Sequence, residues 1–303
     1  MGQLEKAKTP VKEDSRERVL IYGVPASGKS TMVAQLPNSI IVDPEHSMDN
    51  YYATIKAKNS KVLKTNSFED LMQLIKELRT TKHEYRNLVI EAITLFNQDA
   101  KEVWTEKFRI ADKKNNSLED FGPRFWNKFK GSWNLMYREL HKLDMNVWIT
   151  AHEKKNFDTP GSTFDSDSKI DGHAMETIFR IEKRGKDRVV TTEKQRVDEG
   201  QKALPNEFLI PDGQRDALYK MILSVKGSDA FERESTPVKL ASDEQLVEIK
   251  RLLELFKPDE ELLRKWFKKA DVEGFSEMTD KQIDGCINFF KKQLDTHKQV
   301  VQQ

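Results

Sequence analysis

The sequence predicts an α/β core with a mainly parallel sheet, followed by a small all-α domain at the C-terminus. Three observations lead to this prediction. A glycine loop joins a strand-like run to a helix-like run near residue 23, and strand-like and helix-like segments then alternate through most of the chain. From Ser242 onward the periodicity is helical throughout. The 303 residues suffice for one large core and one small domain.

Composition narrows the class of protein. Charged residues make up 33% of the chain, yet the net charge is only +1, so any nucleic acid must be bound by local loops. The single cysteine, Cys286, excludes an intramolecular disulfide and indicates a reducing compartment, so we expect a cytoplasmic protein. There is no long apolar segment or signal peptide, and no membrane partner is expected. Residues 1–15 are polar and predict a disordered N-terminal tail.

The glycine loop matches the phosphate-loop (P-loop) pattern G-x-x-x-x-G-K-[ST]. It follows the strand-like run 18–22 and precedes a helix predicted from Ser30 to Leu36, which Pro37 ends. The glycines let consecutive N–H groups face an anion, Lys29 can reach the β- and γ-phosphates, and the Ser30 hydroxyl can ligate Mg²⁺. The predicted nucleotide-binding residues are Gly23, Val24, Pro25, Ala26, Ser27, Gly28, Lys29, Ser30 and Thr31.

Strands and helices alternate after this loop. We predict strands at 39–43, near 62–63, at 87–92 and at 146–150, with helices at 68–78, 95–110 and 125–143. Ser67 is the predicted N-cap of the first of these helices, with Asp70 as its reciprocal partner. Such alternation indicates βαβ units.

The rest of the core begins with a long loop, 153–174, rich in Gly, Ser, Asp and Lys. Strands are predicted near 177–182 and 187–194, joined by a turn at 183–187. We place the core at 16–225, a polar linker at 226–241 and a helical domain at 242–303. That domain has three apolar stripes, and its capping boxes pair Ser242 with Gln245 and Thr279 with Gln282.

The segment Asp43-Pro44-Glu45-His46 narrows the choice among nucleotide-binding proteins. We predict that its strand lies next to the P-loop strand, so that Glu45 could polarise a water at the γ-phosphate. Here the chain resembles the RecA recombinases, in which this strand ends in a D-x-E-H motif. The resemblance implies that ATP is the nucleotide, that Glu45 activates water, and that Asp49 and Tyr52 contact the adenine. The alternative is an exposed acidic loop.

The resemblance implies further roles at the ends of two later strands. Glu91 stands where the family has an Asp that holds the Mg²⁺ shell through water. Its longer side chain would act through a shifted water, and the alternative is a weaker affinity for the metal. His152 stands at the position of a γ-phosphate sensor, the alternative being a histidine bonded to a backbone carbonyl. The loop behind it would bind single-stranded DNA, with contacts from Lys154, Lys155, Phe157 and Lys169.

Two more regions are candidate contacts. Around Arg124 and Lys128, basic residues are interleaved with Phe125, Trp126 and Phe129, which suits single-stranded DNA; a helix that buries these rings fits equally well. Lys194 and Arg196 match a K-x-R pair that, in RecA-like proteins, reaches the ATP of a neighbouring subunit. The resemblance therefore implies a homo-oligomer with ATP at its interfaces; a solvated basic strand end is the alternative.

The resemblance covers roughly residues 16–225, with a RecA-like fold, and is greatest to phage-encoded RecA-like ATPases of the Sak type. It implies a DNA-stimulated ATPase that acts on single-stranded DNA in annealing or recombination. The tail is similar to helical tails on phage recombination proteins, so a phage or host recombination or replication protein is its expected partner. Two alternatives stay open: a P-loop kinase, although no arginine-bearing lid is evident, and a nucleotide-gated DNA-binding or loader protein with negligible turnover.

Overall fold

The computed structural model describes residues 16–111, 123–155, 162–164, 174–197, 200, 202–227 and 235–301. The chain divides into two compact units, Met1–Thr236 and Pro237–Gln303, with the division inside the interval predicted as a linker. The predicted fold class is confirmed, since the first unit is an α/β fold around a mainly parallel sheet and the second is helical.

One sheet runs through the first unit, in the order β3-β2-β4-β5-β1-β7-β8-β9, with β6 paired to β5. The pairs among β1 to β5, and the pair β1–β7, are parallel. The pairs β5–β6, β7–β8 and β8–β9 are antiparallel. The strand bounds are β1 Arg18–Gly23, β2 Ser39–Val42, β3 Lys61–Leu63, β4 Asn87–Ile90, β5 Asn146–Lys155, β6 Ser162–Phe164, β7 Thr177–Arg184, β8 Asp187–Gln195 and β9 Glu207–Ile210.

Helices cover both faces of this sheet, which explains why its central strands read as continuous apolar runs. In β1, Leu20 and Tyr22 point to one core and Val19 and Ile21 to the other. The first core includes residues of α3, α4 and α5, and the second includes residues of α1, α2 and α6. The helix bounds are α1 Lys29–Val33, α2 Tyr52–Ala57, α3 Phe68–Thr80, α4 Ile93–Ala111, α5 Pro123–His141 and α6 Ala217–Lys226.

The structure corrects several sequence predictions. The strand that ends before Glu45, β2, is not a neighbour of the P-loop strand, because β4 and β5 lie between them. β5 continues to Lys155, so the loop predicted from residue 153 begins as a strand. The Ser67 hydroxyl does accept from the Asp70 backbone N–H, but the Asp70 carboxylate accepts from Thr65 instead of completing the box. The strand β9 and the helices α2 and α6 were not predicted.

The second unit is a small helical bundle with α7 Asp243–Phe256, α8 Glu260–Ala270 and α9 Asp280–Val301. Both predicted capping boxes are confirmed, since side chain and backbone exchange hydrogen bonds in the two pairs. Its core contains Ile249, Leu252, Ile283 and Phe290. In the part of the chain that the structure describes, no helix is both long and apolar enough to cross a bilayer.

Candidate nucleotide-binding site

The P-loop curls between β1 and α1 at the carboxyl edge of the parallel sheet. Ala26 and Gly28 have positive φ angles of 61° and 105°, and the Ser27 N–H donates to the Val24 carbonyl. The Lys29 ammonium group is buried and donates to the carbonyls of Gly23 and Val24, at 2.8 and 3.1 Å. Burial lowers the pKa of Lys29, although the carboxylates of Glu91, Glu45 and Glu153 oppose this shift. A cation held inside a loop of N–H groups suits a polyanionic ligand.

Glu91 lies against the first turn of α1. Its Oε1 accepts a 2.6 Å hydrogen bond from the Ser30 hydroxyl, while its buried Oε2 has no hydrogen-bond partner. The Ser27 hydroxyl is also buried without a partner. Burial raises the pKa of Glu91, an effect that the bond from Ser30, the nearby Thr150 hydroxyl and Lys29 oppose. A carboxylate and a hydroxyl are the hard oxygen ligands that Mg²⁺ prefers, so these residues fit that ion.

Other protein ligands for such an ion are scarce. Among the described residues, no group of three or more His, Cys, Asp or Glu side chains could hold a metal ion. A magnesium ion here would therefore be held by Ser30 and Glu91, directly or through water, together with phosphate oxygens.

Glu45 and His152 approach each other although their strands are not neighbours. The buried Asp43 carboxylate accepts from the backbone N–H groups of Ser47 and Met48, which shapes the turn that holds Glu45. Glu45 Oε1 lies 3.6 Å from His152 Nε2, and both side chains are about one-third exposed, 35% and 34%. The parallel order brings the carboxyl ends of β2 and β5 to one edge, so both residues can face a phosphate at the loop.

Glu153, the residue after His152, connects β5 to β7, which lies on the other side of the P-loop strand β1. The Glu153 carboxylate accepts two hydrogen bonds from Arg180 on β7, at 3.1 and 2.7 Å. Beside them, the Tyr22 hydroxyl donates to Glu193 at 2.5 Å, and burial together with this bond raises the pKa of Tyr22. These bonds hold β5, β1, β7 and β8 together directly beneath the loop.

A pocket of about 330 Å³ adjoins the P-loop. One wall comes from the loop and α1, with Gly28, Thr31 and Met32, and from the 3₁₀ turn Ser47–Tyr51. The rest of the lining comes from Lys186 in the β7–β8 turn, Arg188 at the start of β8, Ile210 at the end of β9 and residues 211–215 after it. The Tyr51 hydroxyl and the Thr31 hydroxyl are 2.8 Å apart, which fixes the Tyr51 ring against α1. A tyrosine ring and the aliphatic side chains of Met32 and Ile210, set among polar groups beside a phosphate loop, suit a nucleoside.

The structure places the two predicted adenine contacts outside this pocket. Asp49 pairs with Lys64 at 2.6 Å, and the Tyr52 side chain is largely exposed. Their neighbours Asn50 and Tyr51 line the pocket instead. The 3₁₀ turn and the start of α2 determine which of these side chains face the pocket, and the spacing of residues in the sequence does not reveal this.

Three cations at the pocket were missed by the sequence analysis. Lys186, Arg188 and Arg215 belong to its lining. The Arg188 Nε lies 3.1 Å from the point where a Cβ on Gly28 would stand, and its Nη1 donates to the carbonyls of Lys186 and Asp187. The only hint in the sequence was the basic turn between two predicted strands. Arginine beside the P-loop is thus present, contrary to what the sequence analysis found.

Lys194 and Arg196 lie away from the P-loop of their own chain. Because β8 is antiparallel to β7, Lys194 pairs with Ile178, which is level with Leu20 on β1, three residues before Gly23. At about 3.3 Å per residue this separation is roughly 10 Å. Lys194 donates to the Met175 carbonyl and Arg196 is 3.9 Å from Glu176. In this structure both side chains are engaged near residues 175–176, at the end of β7 away from the P-loop.

The predicted DNA contacts are only partly visible. Lys154 is exposed on β5, and Lys155 is the last residue of that strand; Phe157 and Lys169 fall outside the described residues. On α5, Arg124 and Lys128 are exposed, whereas Phe125 and Phe129 are fully buried and Trp126 is 37% exposed. Burial of two of the three rings fits the alternative in which this helix packs on the core.

Comparison with known proteins identifies the family of this chain. Residues 15–196 match the model of a family described as an AAA domain, a span of more than half the chain that contains the P-loop, Glu45, Glu91 and His152. No curated protein matches the chain. The chain is also similar to a solved structure described as the crystal structure of the RadB recombinase, at 15% identity and a TM-score of 0.40. That match covers 64% of this chain and 84% of the other.

Proposed function

The chain belongs to the AAA domain family, and on this premise we propose that it is a RecA-like ATPase that binds ATP with Mg²⁺ and acts on single-stranded DNA. The observation that supports the proposal best is the contact of Ser30 with Glu91 beside the P-loop. The buried Lys29 ammonium group completes this set of side chains. The ammonium group, the Ser30 hydroxyl and the Glu91 carboxylate, which has one unpartnered oxygen, together match the charges of a magnesium-bound triphosphate.

We assign the chemistry to three side chains. Lys29 binds the β- and γ-phosphates once its bonds to the loop carbonyls are exchanged for phosphate oxygens. Glu45 accepts the proton of the attacking water as general base, and His152, 3.6 Å away, donates a hydrogen bond to the γ-phosphate. When bound, Mg²⁺ supplies Lewis-acid neutralisation of the phosphate charge.

The nucleoside would occupy the neighbouring pocket. Tyr51 offers a ring for stacking on the base, and Lys186, Arg188 and Arg215 offer positive charge to the phosphates. This proposal replaces the contacts assigned to Asp49 and Tyr52 from the sequence.

The part of the proposal that concerns single-stranded DNA rests on the basic residues beyond His152 and at the start of α5. Lys154, Arg124 and Lys128 have exposed side chains that carry positive charge, and Lys155, Phe157 and Lys169 complete the proposed set. Such contacts would couple hydrolysis to DNA through the β5 strand that carries His152. We place the activity in annealing or recombination, in a homo-oligomer.

One experiment separates this function from its alternatives: phosphate release measured with and without single-stranded DNA, next to a screen of phosphate acceptors. A DNA-stimulated ATPase releases phosphate that Lys29→Ala abolishes and that Glu45→Gln reduces about a hundredfold while ATP still binds. Transfer to an acceptor would identify a kinase, for which the nearby Arg188 is the favouring observation. Tight ATP binding without turnover would identify a nucleotide-gated DNA-binding or loader protein.

A double variant tests the proposed DNA contacts. Lys154→Ala/Lys155→Ala should weaken binding to single strands and lower its salt dependence, because fewer counterions are released. Retention of wild-type affinity and salt slope by this variant would remove the β5 extension from the proposed DNA surface.

A further inference from the structure

The helical unit has an open groove that its own core does not fill. The groove lies between α8 and α9 and has a volume of about 390 Å³. Its apolar lining includes Trp266, Met278, Cys286 and Phe289. This volume is in the range of about 300–1,000 Å³ that is usual for ligand pockets.

Aromatic side chains form its wall and are only partly covered. The Trp266 ring meets Phe289 edge-on at 5.3 Å and lies 5.4 Å from Phe290. Phe290 is buried in the core of the unit, whereas Phe289 remains 40% exposed. Exposed aromatic surface around a recess is typical of a site that another chain covers.

Gly285 keeps the groove open. It lies inside α9, where glycine costs about 1 kcal/mol relative to alanine. A Cβ at this position would meet no atom within 4 Å, so no close packing inside the unit requires glycine. The bare backbone instead leaves room for an incoming side chain.

The charged residues that line the groove are all positive. Lys269 and Lys281 are its only charged lining residues, and no Asp or Glu belongs to the lining. Neither ammonium group is in an ion pair within the described part of the chain. A complementary occupant therefore carries carboxylates next to a large apolar side chain.

We propose that this groove binds an acidic peptide segment of a partner protein, with a large apolar side chain beside Gly285 and carboxylates at Lys269 and Lys281. The occupant is a peptide because the groove joins an apolar recess to two cations on different helices, a pattern that short linear segments match. This inference does not rest on the nucleotide site.

The test uses the full chain and a fluorescently labelled peptide of acidic residues that ends in a Leu-Phe pair, with binding followed by anisotropy. Control peptides replace the acids by lysine or the Leu-Phe pair by Gly-Ser. We expect saturable binding of the first peptide and a loss of about tenfold or more with either control.

Two variants identify the surface. Gly285→Leu adds a side chain to the groove lining, where its Cβ would meet no atom within 4 Å, and should abolish binding. Lys269→Ala/Lys281→Ala should weaken binding about tenfold. Lys250→Ala/Lys268→Ala removes the same charge from exposed positions outside the groove and should bind as the wild type does. Equal binding by wild type and Gly285→Leu would overturn the proposal, as would no binding by wild type.

Cys286 gives a second readout, because it is the only cysteine and lines the groove. Bound peptide should slow its reaction with a maleimide. Displacement of the peptide by a single-stranded oligonucleotide, with no effect of the Leu-Phe pair, would mean a nucleic-acid surface and reject the peptide. Self-association that Gly285→Leu abolishes, with no peptide binding, would mean a second copy of the chain and reject it too.

Discussion

Glu91 is a buried carboxyl group beside the P-loop whose pKa is shifted. Burial raises its pKa above the ordinary value of 4.5, so in the metal-free folded chain the carboxyl keeps its proton to a higher pH than in the unfolded chain. Its contribution to stability is therefore full below pH 4.5 and is lost as pH rises through the raised pKa.

The raised pKa of Glu91 predicts how Glu91→Gln should change stability. The variant is never charged, so in EDTA its unfolding temperature should exceed that of the wild type at neutral pH, and the difference should shrink on acidification. With ATP, added Mg²⁺ should stabilise the wild type and not the variant. Thermal unfolding measures both effects, and Glu69→Gln, at a 73% exposed side chain, is the control. An unchanged Mg²⁺ effect in Glu91→Gln would take Glu91 out of the metal site.

Gly23 is required for packing as well as for the loop. A Cβ there would overlap the Ile181 carbonyl on the neighbouring strand and press on the Ser27 hydroxyl. Gly23→Ala should therefore lower the free energy of unfolding by about 1–3 kcal/mol, a cost typical of overpacking.

Gly131→Ala is the matched control for this prediction. Gly131 is exposed inside α5 with no atom within 4 Å of an added Cβ, so this change should raise stability by about 0.5–1 kcal/mol. Urea unfolding compares the two; equal stability of Gly23→Ala and the wild type would mean that β1 and β7 can separate at no cost.

At the scale of elements, the β7–β8 hairpin connects the proposed nucleotide pocket with the proposed intersubunit pair. Its turn brings Lys186 and Arg188 to the P-loop, while the far end of β8 carries Lys194 and Arg196 to the opposite edge of the sheet. One antiparallel strand can thus serve the nucleotide of its own subunit at one end and a neighbour's at the other.

Arg188→Ala should weaken nucleotide binding. A hydrogen bond to a charged group is worth about 1.5–3 kcal/mol, so we expect a loss of roughly tenfold or more in affinity for ADP and ATP. Arg188→Lys keeps the charge and should recover part of it. Arg184→Ala, in which the lost side chain is 60% exposed at the end of β7, is the control for titration calorimetry. Wild-type affinity in Arg188→Ala would show that the arginine only closes the turn.

At the scale of the whole molecule, the position of Lys194 and Arg196 makes assembly testable. Neither reaches its own P-loop, so a catalytic role requires a second subunit. Lys194→Ala/Arg196→Ala and Lys29→Ala proteins should each be inactive alone. Mixed, some interfaces would combine an intact P-loop with an intact pair, and ATPase activity should return, because such a finger is worth about three orders of magnitude or more.

Light scattering supplies the control for the mixture by showing that the two proteins co-assemble. Activity that stays at the level of the separate variants in a co-assembled mixture would contradict a role across an interface. A wild-type rate in Lys194→Ala/Arg196→Ala alone would leave the pair as a solvated strand end.

The sequence by itself determined the features that depend on residues close together in the chain. The P-loop from Gly23 to Thr31, the strand β1, the β7–β8 hairpin and the capping boxes at Ser242 and Thr279 were all predictable. Each rests on a local backbone requirement: a positive φ, a side chain three residues from a free N–H, or a periodicity of two or 3.6.

Only the tertiary structure decided which distant residues meet. The insertion of β4 and β5 between β2 and β1, the approach of Arg188 to Gly28, and the presence of Tyr51 instead of Tyr52 in the pocket lining all depend on strand pairing and helix rotation. The groove at Gly285 likewise needs two helices to exist. The physical reason is that a residue's own neighbours set its backbone angles, whereas contacts across a sheet or between helices follow from how whole faces are buried.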